Sequence, residues 1–172
     1  MKQFGQFPYL RELLPVYGLI TLAAYGWSLY RFSWILPSWI KTLTEGEIAI
    51  ALAYIFSVNL LESLLALGVL IIISLVLPAG WFRNGFVLRA GICVIFIMAF
   101  LMYLNYKREP LEVAYRYTPT ALILMVPIIL VVERIGIVRG WVLDFIDRAS
   151  IFPYITIPVS IIALIVVIVR NI

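Results

Sequence analysis

Histidine is absent from this sequence, cysteine occurs once (Cys93), and aspartate only at Asp144 and Asp147. Without histidine there is no Ser-His triad and no zinc site of the histidine-ligated kind. With both aspartates in one short stretch, two different spans cannot each supply one to an intramembrane aspartyl protease. No glycine-rich phosphate loop of P-loop or dinucleotide type occurs either. Cys93 lies in an apolar run between Ile92 and Val94, has no partner for a disulfide, and reads as a small packing residue. Asp144 and Asp147 share a helix face, but a metal-phosphate site needs more carboxylates than these two, so they read as a solvated face. No catalytic set, metal set or cofactor motif emerges. The expectation is a protein that is not an enzyme.

Charge is scarce too. Asp, Glu, Lys and Arg make up 13% of the chain, about half their share in a soluble domain. The net charge of +4 is spread over many short clusters, with no basic block to grip nucleic acid or an acidic headgroup.

What fills the sequence instead is hydrophobic side chains, 65% of 172 residues, in five long runs. A run of about 20 apolar residues spans the roughly 30 Å bilayer core as a helix, which satisfies its own backbone polar groups. The pattern predicts an all-α, polytopic transmembrane helix bundle of five spans with short loops, forming one integral membrane domain. The spans are expected near 13–30, 48–77, 86–106, 119–138 and 151–169. Lys2 and Arg11 before an apolar stretch imitate a secretory leader, but the run continues to Tyr30, so an uncleaved first helix is expected. Pro15 is placed in that helix's first turn, where its missing amide needs no partner.

The spacers have the character of membrane boundaries. Arg31, Trp34 and Trp39 are expected at one interface, with residues 31–40 lying along it as a short segment, and Trp81, Arg83 and Trp141 at the other. The loop 78–85 is short enough to return the third span antiparallel beside the second. Residues 107–118 form the most polar loop, and 139–150 an amphipathic connector. Lys and Arg number seven on the N-terminal side and six on the other, which tilts the N-terminus only slightly toward the cytoplasm of a cytoplasmic membrane.

One residue stands apart. Glu62 falls near the middle of the second span, where a charged side chain costs about 2.5–3.5 kcal/mol on insertion scales. On a helical wheel Asn59, Glu62 and Ser63 share a polar side, beside a small-residue strip of Ala49, Ala53 and Ser57 suited to close helix packing. A protonated Glu62 could bond Tyr17, Tyr25 or the Ile123 carbonyl that Pro127 leaves without its amide. That reading makes it interhelical glue; the alternatives are an ion or proton pathway and partner binding.

The sequence thus supports a small accessory or scaffold subunit in contact with lipid, working with a larger membrane or envelope protein or with copies of itself. A transporter or channel component using Glu62 is the alternative. A membrane lipid enzyme of unfamiliar type comes third.

Overall fold

A computed structural model describes residues 8–77, 82, 85–107 and 111–172. They form six helices: α1 Leu10–Thr42, α2 Glu45–Val76, α3 Phe86–Lys107, α4 Leu111–Arg134, α5 Gly136–Ala149 and α6 Phe152–Asn171. There is no strand among the described residues. Five stretches are long and apolar enough to cross a membrane: Leu10–Thr42, Glu45–Val76, Phe86–Tyr106, Tyr115–Arg134 and Gly136–Asn171. The last joins α5 to α6. The fold is an all-α, multi-pass bundle.

The helices outrun the apolar runs wherever polar residues supply a cap. Tyr9 N–H donates to the Glu12 carboxylate at 3.1 Å, so α1 starts at Leu10. Pro15 therefore lies beyond the first turn and does leave a carbonyl, that of Arg11, without its amide. Thr44 and Glu47 form a reciprocal capping box that starts α2 ahead of Ile48, with Thr44 N–H to Glu47 at 2.8 Å. Residues 31–40 are not a separate interfacial segment. α1 continues through them with Pro37 inside, which costs one backbone bond at Ser33 and does not stop a helix supported on both sides. Residues 111–118, expected as loop, are likewise helical, and Pro119 lies within α4. At 1.5 Å per residue, α1 and α2 are each about 50 Å long. Both exceed the hydrocarbon core.

α1 is the hub. It packs against α2, α3, α5 and α6, whereas α4 touches only α3 and α5 to any extent. Along the α1 seam, Tyr17 Oη pairs with Ser63 Oγ (3.3 Å) and Ser28 Oγ donates to Asn59 Oδ1 (2.9 Å). Tyr25 Oη pairs with Ser160 Oγ at 2.6 Å. These contacts run α1 and α2 antiparallel and bring α6 against both. The buried face of α6 carries Pro153, Thr156, Ser160 and Ala163, mostly small side chains at helical spacing. Small residues permit close backbone approach, which apolar lipid does not otherwise favour. The tightest approach of one backbone to another is at Gly18. A Cβ there would lie 2.6 Å from the Ala149 carbonyl carbon and 2.8 Å from Ser150 Cα. Gly91 similarly admits the Ile146 side chain, whose Cγ1 would sit 3.0 Å from an added Cβ.

α3 does return antiparallel to α2, as the short loop requires, but the two helices scarcely touch. α1 lies as a floor between them. The result is a lateral opening.

Two outcomes follow from this packing. Asn171 donates to Tyr54 Oη at 2.7 Å, near the start of α2, and Arg31 donates to Asn105 at 3.4 Å. The chain thus leaves α6 at the Arg31 end of α1, opposite Leu10. Cysteines placed at Tyr9 and Ile172 should react with an impermeant thiol reagent from opposite sides of sealed vesicles. Labelling of both from one side would contradict five crossings. Second, Gly18→Ala should lower stability by about 1–3 kcal/mol, because the obstructing atoms are backbone and cannot rotate aside. Gly26→Ala, with nothing within 4 Å of the added carbon, should be neutral. Unfolding in mixed micelles would measure both.

Candidate functional site: a lateral groove at Glu62

The wheel that groups Asn59, Glu62 and Ser63 is borne by α2, but the three side chains meet different surroundings. Asn59 is 4% exposed and Ser63 1% exposed, both turned into the α1 seam. Ser63 Oγ also donates to its own Leu60 carbonyl at 2.9 Å, a local bond that hydroxyls make readily within helices. Glu62 sits one residue from Ser63 and is exposed. None of the suggested partners reaches it. Tyr17 is engaged with Ser63, and Tyr25 with Ser160. Ile123 is 71% exposed on α4, which packs against α3 and α5. No hydrogen bond or ion pair joins Glu62 to any other described residue. The intramolecular glue reading therefore loses its bond.

Glu62 opens instead onto a groove of about 430 Å³ between α2 and α3, floored by α1. Ala24, Trp27 and Ser28 come from α1, Ala66 and Val69 from α2, and Ile97 and Met98 from α3. Ser28 and Ser63 are the other small polar side chains in the lining, and both hydroxyls are already bonded. The carboxyl is the one acidic group facing an otherwise apolar, lipid-facing slot. Behind it the Asn59 Nδ2 is buried without a hydrogen-bond partner.

The small-residue strip is only partly used. Ser57 is 5% exposed and donates to the Ala53 carbonyl at 2.8 Å, while Ala53 is half-buried and Ala49 exposed. Asn171 of α6 lies beside Tyr54, and Ala49 lies beyond that contact on α2. Among the boundary residues, Trp34 and Trp141 are exposed, and Trp39 is half-buried with its ring 5.9 Å from Phe32. Arg31 is exposed and bonds Asn105. Trp81 and Arg83 lie outside the described residues. Asp144, Asp147 and Arg148 are all exposed on α5. Among the described residues no three His, Cys, Asp or Glu side chains converge as a metal site.

Sequence reasoning missed one ionic contact. Arg89, near the start of α3, and Glu133, at the end of α4, form a two-pronged pair, Nε to Oε1 and Nη2 to Oε2, the latter at 3.1 Å. Their side chains are 16% and 23% exposed. Gly85, at φ +121°, brings the chain over this pair, a backbone conformation that side chains rarely tolerate. The available signal was their placement, opposite charges at the same end of consecutive antiparallel spans. The forked geometry fixes α4, which has few other buried contacts, to α3. Removing either charge alone, as Glu133→Gln or Arg89→Met, should cost about 1.5–3 kcal/mol. The double variant should lose less than the sum of the single losses, as measured by a double-mutant cycle of unfolding. Strict additivity would show that the pair contributes nothing to packing α4.

No known protein family, curated protein or solved structure matches the chain, so its function must be argued from the groove and the bundle around it.

Proposed function

We propose that this protein is a small accessory subunit of the cytoplasmic membrane. It would hold a transmembrane helix of a larger membrane or envelope protein in the groove between α2 and α3. The observation that carries this reading is Glu62, central in its span, exposed, and without a partner among the described residues. Ionisable residues within spans normally face a bundle interior or cavity and pair there, because an acyl-chain environment leaves them unsatisfied. A subunit whose one mid-span carboxyl faces outward is incomplete alone. The apolar lining supplies contact area, and Ala23, Ala24 and Ala66 let a neighbouring backbone come close. The loops among the described residues are too short for a separate soluble domain, which leaves the membrane as the place of recognition.

A conducting role draws less support from the same geometry. The groove opens sideways between helices, and the Ser63 hydroxyl and the Asn59 carbonyl oxygen beside Glu62 are engaged in the α1 seam. On the accessory reading the chain performs no chemistry of its own.

A photo-reactive amino acid at Ala66, in native membranes, tests the proposal. It should give one discrete protein adduct, lost when Glu62→Leu is added. The same group at Ile123, on the outer face of α4, should give lipid adducts. Equal, lipid-only reaction at both positions would sink the reading.

A further inference from the structure

Resting on that docking reading, we propose that the helix accepted by this groove carries a lysine or arginine at the depth of Glu62. The occupant would be a basic transmembrane segment of another protein, and the ion pair would select it.

Depth comes first. Tyr17 pairs with Ser63 and Ser28 with Asn59, so Glu62 lies level with the middle of α1, between two hydroxyl contacts on the same seam. The nearest cations by register are Arg31, bonded to Asn105, and Arg89, held by Glu133. Arg31 lies within α1, one turn beyond Ser28, and Arg89 stands near the start of α3. No Lys or Arg occurs in 12–30, 42–82, 90–106, 117–133 or 149–169. A two-fold contact centred on Glu62 would bring a second Glu62 there and no cation.

The groove fits a helix in kind. Glu62, Ala66, Val69 and Ile73 line it from α2 at spacings of four, three and four. Ile97 and Leu101 face them from α3. This stretch of α2 extends about 16 Å along the helix axis, or three turns. The lining also carries small side chains, Ala66 on α2 and Ala23 and Ala24 on the floor. A partner backbone can come close there, and a basic side chain can fold its stem along apolar walls toward the carboxyl.

Charge then decides between partners. A neutral donor on the partner, such as Gln or Ser, would gain one interhelical hydrogen bond, a weak interaction in membranes. An uncompensated cation on a partner helix carries its own insertion cost, and pairing with Glu62 relieves both charges at once. The groove thus discriminates against apolar helices that would fit its shape.

Designed helices of about 23 residues, Leu/Ala-based and long enough to span, test this with the full-length protein in lipid nanodiscs. They carry Lys, Gln, Leu or Glu at the centre and an acceptor dye at one end. The protein carries a donor dye at Ile172→Cys in a Cys93→Ala background, and energy transfer reports binding. The central-Lys helix should bind about tenfold more tightly than the central-Leu helix, equivalent to about 1.4 kcal/mol. Glu62→Gln should remove that preference. Glu62→Lys should transfer it to the central-Glu helix, which also shows that the variant is folded. Because Glu62 is exposed, neither change disturbs a packed contact. Equal binding of the Lys and Gln helices, or a Lys preference that survives in Glu62→Gln, would overturn the ionic inference while leaving the docking reading in place. Failure of every helix to bind above a donor-only control would overturn both. Displacement of the Lys helix by unlabelled copies of the protein would assign the groove to self-association and overturn the inference too.

Discussion

In a bilayer, apolar side chains gain almost nothing by meeting one another instead of acyl chains, so helices associate only where their surfaces fit closely or share hydrogen bonds. In this protein that demand falls on α1. Its Gly18 admits the backbone at the α5–α6 turn, and its hydroxyl-bearing side chains Tyr17, Tyr25 and Ser28 reach Ser63, Ser160 and Asn59. α2 and α3 pack on α1, and α6 packs on α2 and on α1. The polar side of α2 is spent on this seam.

The same constraint produces the groove. α2 leans on α1 and α6, and α3 leans on α1, α4 and α5, so the two consecutive helices diverge on the side away from α6. Glu62 faces that divergence while its neighbours face inward. Had α3 packed directly on α2, the carboxyl would have been sealed among side chains, and interhelical bonding would have been its natural role. The functional reading thus depends on how α1 separates two helices.

How much of this was legible in the sequence depends on the physics involved. The five runs were legible because lipid imposes a minimum apolar length on any spanning helix. The true ends were less so. Thr44 and Glu47 read as polar spacer until their reciprocal cap is seen, and 111–118 is helical despite its charges. Glu62 was identifiable by its depth alone. Its separation from Asn59 and Ser63 was not, since a wheel gives directions and not which neighbour occupies each one. The Arg89–Glu133 pair needed tertiary knowledge of the same kind. The strip at Ala49, Ala53 and Ser57 was recognisable as small, but how far each position is covered depends on helix offset, which is not written in local spacing.

The central claim is that the Glu62 groove stands open in the isolated protein and is filled in its native membrane. A spin label at Ala66, read for collision with dissolved oxygen, tests this most directly, with a label at Ile123 as reference. In purified protein in lipid both sites should show the high oxygen accessibility of a lipid-facing position. In native membranes Ala66 should become shielded while Ile123 stays unchanged. An Ala66 label already shielded in the purified monomer, or equally exposed in both settings, would contradict the account.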